Sequence, residues 1–590
     1  MTQDQIILFS LFAAVFAMLL WGRFRYDLVA FTALMVGVVL GVVPTKDAFS
    51  GFGHPATIIV ALVLIVSAGL VRSGAVLLIT RTLVDAARNL GTHIAIMGGI
   101  GGVLSAFMNN VAALALLMPV DIATARKAKR AAGLTLMPLS FATILGGMVT
   151  LIGTPPNIII ASIREESLGA PFTMFDFAPV GGVAAIAGLM FVALIGWRLI
   201  PSGQQDAGTE PLEALSGYLA ELTVPEGHPM IGERMSAMNE AAEAADVTLL
   251  GLIRNGKRMR GRALRQTLQA HDALVLEAEP NALDEFRVAQ KLATADAKRA
   301  DLLKGGDTAL VEVVVNDDAR IAGKSSQSLG LGWRKRTVLM GIARSGRRIT
   351  SQLRKTIIKP GDVLLLQTPA EHKDEVVDWI GGLPLAERGL SVTQDTKTWL
   401  AIGVFAAAVA AASFGLVYLP VALGLVVVAF VLSGILPIKE IYDHIEWPVV
   451  VLLGSMIPLG AALETSGGTE LIAGALIGLT NGLPAWAILT VLMVVTMTLS
   501  DVLNNTATTI VAAPVGIQMA NTLGVNPDPF LMAVAIAASA AFLTPIGHKN
   551  NTLILGPGGY RFGDYWRMGL PLEGIIIAVS IPTLMIVWPL

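Results

Sequence analysis

Ten apolar runs, five on either side of a long polar segment, set the plan of this chain: residues 4–22, 27–43, 56–72, 135–160 and 177–198, then 397–415, 418–435, 447–465, 530–548 and 568–590. Crossing ~30 Å of hydrocarbon as a helix takes about 20 residues, so each run is a candidate span. Two further apolar regions, 91–124 and 484–520, are interrupted near their middles by paired asparagines, Asn109-Asn110 and Asn504-Asn505. We expect each to fold as a re-entrant hairpin with the pair at its tip, preceded by an amphipathic stretch at 75–90 or 468–480.

The two halves repeat. Pro55 and Ser73-Gly74 recur as Pro448 and Ser466-Gly467, offset by 393; Asn109-Asn110 and Pro119 recur as Asn504-Asn505 and Pro514, offset by 395. Thr150, Ile152-Gly153 and Asn157 recur as Thr544, Ile546-Gly547 and Asn551, offset by 394. With an odd number of spans per copy the second inserts upside down, the inverted repeat of secondary transporters. Basic residues gather at Arg23 and Arg25, at Arg126, Lys127, Lys129 and Arg130, and at Lys549, Arg561 and Arg567, whereas the opposite connections carry only Lys46. The positive-inside rule then puts these clusters and the insert 201–396 in the cytoplasm and both termini outside. The expected membrane repeats are 1–200 and 397–590.

The insert has no membrane-length run and repeats within itself: Glu221, Gly251 and Asp272 recur as Glu312, Gly341 and Asp362 at offsets of 90 to 91. Each unit reads as a strand (Leu219–Val224; Leu310–Val315), a second strand (Val247–Arg254; Thr337–Arg344) and a third (Ala273–Glu277; Asp362–Leu366), with Asn-Gly and Ser-Gly turns after Arg254 and Arg344. Two tandem small α/β lobes, 211–287 and 303–381, are expected.

Composition agrees with a polytopic α-helical membrane protein. Hydrophobic residues make up 54% and charged residues 15%, against about 25% charged in soluble proteins. A net charge of −2 points to no nucleic-acid partner, and the absence of cysteine excludes disulfides and thiolate metal sites. The N-terminus lacks a basic region and a small-residue cleavage site ahead of its apolar run, so it reads as a retained first helix.

Polar backbone at membrane depth survives only where protein or a water-filled cavity satisfies it. An Asn-tipped hairpin therefore either caps and cross-links helices or offers amides and free helix-end N–H groups to an ion. Symmetric placement of both pairs, each followed by an aligned proline, favours the second. The other interrupted element is Thr150-Leu-Ile-Gly-Thr-Pro-Pro-Asn157, with its counterpart Thr544-Pro-Ile-Gly-His-Lys-Asn-Asn551. Gly and paired prolines cannot continue a helix, so the span breaks there and frees carbonyls.

Asn504-Asn-Thr-Ala-Thr508 with Pro514, together with Ile152-Gly-Thr-Pro-Pro-Asn157, resembles the divalent-anion/sodium symporter family of the ion-transporter superfamily. The insert resembles two copies of the C-terminal lobe of RCK (regulator of K+ conductance) domains. The resemblance implies Na+-coupled movement of a small anionic substrate, sulfate or a dicarboxylate, by a homodimer in a bacterial inner membrane, among its lipids. Carried over, Asn110 and Asn505 serve both Na+ and substrate, and Thr506 touches substrate. Ser105 and Ser500 supply hydroxyls to two Na+ sites, and Gly153, Thr154 and Pro155, with Gly547, form the broken-helix elements. The chain departs from the family at Asn109 and Asn504, where the family has Ser, at Val111, which deletes a hydroxyl, and at His548 and Lys549, which replace Thr and Pro.

Lys549 reads either as a cytoplasmic anchor or as a fixed positive charge for the anion; His548 reads as a packed polar residue or a proton relay. Asp501 is an intramembrane acid, a class that is costly and usually functional. The basic runs of the insert (Arg254, Lys257, Arg258, Arg260, Arg262, Arg265; Arg344, Arg347, Arg348, Arg354, Lys355) read as solvated edges facing lipid headgroups or as a site for a nucleotide effector. No nucleophile motif, phosphate loop or metal cluster points to an enzyme. The competing readings are a cation/proton antiporter using Asp501 and His548, and a channel gated by the insert.

Overall fold

The computed structural model describes the chain apart from residues 22–23, 75–88, 129, 202–217, 386–396, 480–481 and short stretches of the insert (239–240, 243–244, 246, 255–256, 259–265, 279–285, 295–307, 317–318, 332–336, 345–346, 350–352, 354 and 370–371). Two compact units result, one from Met1–Gln205 with Glu387–Leu590 and the other from Asp206–Ala386. The amphipathic stretch expected at 75–90 lies almost wholly outside the described residues.

The first half of the helical unit contains α1 (Gln3–Trp21), α2 (Tyr26–Val39), α3 (Pro55–Arg72), α4 (Leu90–Phe107), α5 (Asn110–Lys127), α6 (Gly133–Gly147), α7 (Pro155–Leu168) and α8 (Ala178–Leu194). The second half contains α9 (Thr398–Ser413), α10 (Leu419–Leu432), α11 (Trp447–Thr465), α12 (Gly468–Leu479), α13 (Ala485–Val502), α14 (Asn505–Leu523), α15 (Asp528–Ser539), α16 (Lys549–Leu555) and α17 (Tyr565–Val587). The run 135–160 is split between α6 and α7, and 530–548 ends as helix at Ser539, as the glycines and prolines required.

Among the described residues five helical stretches are long and apolar enough to cross a membrane, and α4 and α13 are two of them. At 1.5 Å per residue these 18-residue arms reach about 27 Å. The leading arm of each interrupted region is thus as long as a span.

Burial sorts the helices. Every residue of α15 and nearly every residue of α6 is shielded, and a helix apolar on all sides belongs in a core. By contrast α10 shows Leu425, Val428 and Leu432 on its outside. Packing recurs between halves: α4 lies on α6 as α13 lies on α15, α2 lies on α11 as α10 lies on α3, and α8 pairs with α17.

Small residues allow the closest approaches. A Cβ on Gly146 of α6 would stand 2.1 Å from the Gly102 carbonyl oxygen of α4, and one on Gly51 would stand 2.4 Å from that of Gly454.

The insert forms two five-stranded sheets, in the orders β3-β2-β4-β1-β5 and β10-β6-β9-β7-β8. The strands are β1 (Tyr218–Thr223), β2 (Thr248–Arg254), β3 (Lys257–Arg258), β4 (Ala273–Ala278), β5 (Ala293–Thr294), β6 (Thr308–Val315), β7 (Val338–Arg344), β8 (Arg347–Ile349), β9 (Val363–Pro369) and β10 (Gly382–Pro384). All six expected strands are present. Among the described residues every strand pairing is antiparallel.

Both central pairs slip register at equivalent points, Leu249/Gly251 and Leu339/Gly341. Arg254 clamps buried Asp272, and Arg344 clamps buried Asp362, each at 2.7 and 2.8 Å. The repeated acid is therefore a structural anchor. The basic positions Arg260, Arg262, Arg265 and Arg354 lie outside the described residues.

The packing of α4 on α6 yields a stability test. Gly146→Val forces backbone apart and should cost about 1–3 kcal/mol, lowering the melting temperature in detergent, whereas Gly403→Ala, with open space around its Cβ, should not.

Candidate functional site

Each interrupted region turns at its asparagine pair. The first caps the following helix: Asn109 Oδ1 accepts from Val111 N at 2.8 Å, and Asn504 Oδ1 accepts from Thr506 N at 2.9 Å. Asn stands well here because its oxygen is a strong N-cap acceptor, as the hydroxyl of Ser would be. The second member is the first residue of α5 or α14: Asn110 is left for other partners, whereas Asn505 Oδ1 shares the Thr506 amide with Asn504.

Asn110 is buried and builds a junction between the halves. Its Oδ1 accepts from Ser105 Oγ at 2.6 Å, and its Nδ2 lies 3.3 Å from His548 Nε2. Asn550 Nδ2 donates to the Asn110 carbonyl at 3.1 Å and to Thr143 Oγ1 at 2.8 Å. Gly147 completes this seat, since a Cβ there would stand 2.3 Å from Asn110 Oδ1. Ser105, Asn110 and His548 are thus brought together, along with Asn550 and Thr143, which sequence reasoning missed. Asn550 was visible within the quoted Asn550-Asn551 doublet; Thr143 sits in an apolar run and gives no signal.

The broken helices share one hydrogen-bond scheme. Asn157 Nδ2 donates to Thr150 O at 2.8 Å and approaches Gly147 O at 3.5 Å. Asn551 Nδ2 donates to Thr544 O at 3.2 Å and Ala541 O at 3.1 Å. Thr150 Oγ1 donates to Ala106 O, and Thr544 Oγ1 to Asp501 O at 2.5 Å. The helices beyond the breaks start differently: Pro155 and Pro156 open α7, where a missing N–H costs nothing, and His548 caps α16 by accepting from Asn550 N at 3.2 Å.

The remaining expected residues are placed as follows. Ser500 Oγ donates to Ala538 O at 2.5 Å, and half-buried Asn505 Oδ1 accepts from the Thr506 amide and hydroxyl at 2.8 and 3.3 Å. Gly547 abuts Asp501, with its Cβ position 2.9 Å from the Asp501 carbonyl oxygen, and Gly153 abuts Gly147. Lys549 Nζ donates to Glu446 Oε2 at 2.5 Å and lies over the Tyr26 ring. Thr154 Oγ1, Asn157 Oδ1, Asn550 Oδ1 and Asp501 Oδ2 are shielded and have no donor or acceptor partner among the described residues. Buried polar groups are rarely left so, and these four lie at or beside the two breaks. Among the described residues no cluster of three His, Asp or Glu is positioned to hold a metal ion, so an ion here would rest on amide, hydroxyl and carbonyl oxygens, ligands suited to a hard cation.

Two broken helices, each set against the turn of an Asn-tipped hairpin within a bundle of apolar helices, define a membrane transporter. The profile of the citrate transporter family matches residues 16–527 and 484–589, and the chain belongs to that family. It is 31% identical to an uncharacterized transporter of Synechocystis sp. over 97% of this chain and 95% of that protein. An uncharacterized transporter of Escherichia coli is 28% identical over the whole of both chains. A probable sodium/sulfate cotransporter of Chlamydomonas reinhardtii is 26% identical over 57% of this chain and 39% of that protein. The family and these relatives are transporters, not enzymes.

The Lys549–Glu446 pair is testable. Both side chains are about three-quarters shielded, so Lys549→Gln and Glu446→Gln should each destabilise by about 1 kcal/mol, and the double variant by little more than either. Additive losses in melting temperature would mean that the pair does not form.

Proposed function

We propose that the protein imports a divalent anion, sulfate or a dicarboxylate, with Na+ as coupling ion. The observation that carries this reading is the junction at Asn110, where the first hairpin tip meets the second broken helix through His548 and Asn550. One central polar locus built from both halves is what alternating access requires, and the duplicated hydrogen-bond scheme supports an inverted repeat around it. Ser105, Asn110 and Gly153 would furnish one Na+ site, and Ser500, Asn505 and Gly547 the other; Asn109, Asn504, Thr154, Thr506, His548 and Lys549 complete the substrate shell. Relatives whose names specify sodium/sulfate and sodium-dependent dicarboxylate transport lend the substrate class.

In this reading α4–α8 and α13–α17 move together, as in an elevator, against a scaffold of the remaining helices. The lobes of the insert act as RCK-C-like cytoplasmic regulators, since every element of the site lies in the helical unit.

Uptake of radiolabelled sulfate, succinate and citrate into proteoliposomes, with and without a Na+ gradient, tests the proposal. One of these anions should accumulate only with the gradient. Asn110→Ala and Asn505→Ala should abolish that uptake in protein that still folds, each leaving buried partners unsatisfied at about 1–3 kcal/mol. Gradient-independent uptake, or normal kinetics in both variants, would refute it. Replacing residues 211–385 with a flexible linker should alter rates yet preserve substrate binding.

A further inference from the structure

The contact between Asn110 and His548 sets two hydrogen-bond donors against each other. His548 Nδ1 accepts from Asn550 N at 3.2 Å. A backbone amide cannot be turned over to offer an acceptor, so Nδ1 is bare and the one N–H of the ring is at Nε2. Nε2 lies 3.3 Å from Asn110 Nδ2. Ser105 fixes which way the Asn110 carboxamide points. Their 2.6 Å contact fits an O–H···O bond and is short for N–H···O, so the oxygen faces Ser105 and the NH2 group faces the ring. An N–H of each residue therefore points at the other.

Neither nitrogen has another partner among the described residues. His548 and Asn110 are 7% and 4% exposed, so bulk water hardly reaches them, and shielded donors left without an acceptor are costly. Asn550 gives no relief, because the group it turns toward this junction is its own Nδ2, which donates to Asn110 O and Thr143 Oγ1. Donors 3.3 Å apart are close enough for a single oxygen to accept from both.

The other half has no such couple. The position matching His548 is Thr154, and the one matching Asn110 is Asn505. Pro155 and Pro156 offer Thr154 no N–H to cap, and a hydroxyl gives or takes a hydrogen bond with equal ease. Asn505 turns its Oδ1 onto Thr506 N. Only the junction between the first hairpin tip and the second broken helix presents two fixed donors.

Building on the anion reading of this site, we propose that Nε2–H of His548 and Nδ2–H of Asn110 clasp one negatively charged oxygen of the substrate, a sulfate or carboxylate oxygen, between them. A charged acceptor strengthens both bonds. It also turns two opposed donors into a bridge, so the substrate itself fastens together two elements that lie 438 residues apart in the chain. His548 is then a neutral donor to the anion, and its ring is held for that task by the Asn550 amide.

Nitrogen-15 NMR of the full-length, histidine-labelled protein in lipid, at a single pH, reads the geometry before any anion is added. The chain has seven histidines, and the His548 signals are those absent from His548→Thr, a variant whose hydroxyl oxygen can still cap Asn550 N. The wild type should carry its proton on Nε2. Sulfate or succinate, each added alone, should shift that Nε2 resonance and raise the melting temperature. His548→Thr should bind the same anion about tenfold more weakly, having lost one charge-assisted bond. Asn110→Asp, which puts a carboxylate where the NH2 group was, should satisfy His548 by itself, and neither anion should then move the resonance or the melting temperature. A proton on Nδ1 in the wild type would overturn the proposal. So would an anion that raises the melting temperature and leaves the His548 resonance in place, a result that spares the anion reading and moves its site elsewhere. If sulfate, succinate and citrate all fail to bind the wild type, the anion reading falls and the proposal falls with it.

Discussion

A helix that breaks inside a membrane leaves several peptide groups without partners, and no water is at hand to bond them. Everything around the site follows from meeting that need. Asn157 and Asn551 turn their amides back onto the carbonyls of their own breaks, Thr150 and Thr544 reach across to the neighbouring hairpin arm, and glycines at 147, 153 and 547 let backbone approach backbone. These contacts spend most of the local hydrogen-bonding capacity. What is left over beside the breaks, at Thr154, Asn157, Asn550 and Asp501, is a set of shielded oxygen atoms without a partner among the described residues.

Much of this was legible in the residues. Periodicity and Pro/Gly punctuation placed the interrupted regions and the breaks because both depend on local backbone chemistry. Offsets of 393 to 395 in the sequence foretold matching hydrogen-bond schemes. The different partners of Asn109 and Asn110 were not legible, since a capping asparagine and a cross-linking one look alike in a string of letters. Nor was the partnership of His548 with Asn110, which spans 438 residues. Glu573 could have been noticed as a lone acid in an apolar run; its acceptance of the Phe542 amide depends on α17 lying against the break, a tertiary fact.

The halves share a plan and differ in chemistry. The first break relies on Pro155-Pro156 and on the neutral side chains of Thr150 and Asn157. The second relies on a histidine cap, a lysine tied to Glu446 and two acids, all polar groups whose bonds can be exchanged. Such an arrangement suits one half for holding and the other for responding.

Ser140 and Thr143 of α6 find their partners in Asn551 and Asn550, 411 and 407 residues further along the chain. At a synthesis rate of roughly 5–20 residues per second, that separation is about 20–80 s on the ribosome. For that interval, while the whole insert is being translated, Ser140 Oγ lacks its Asn551 partner and Thr143 Oγ1 has only its bond to Ser140 O within α6. The nascent chain therefore needs either lipid-side water or an insertase to shelter those groups, and biogenesis is the stage at which this architecture is most exposed to failure.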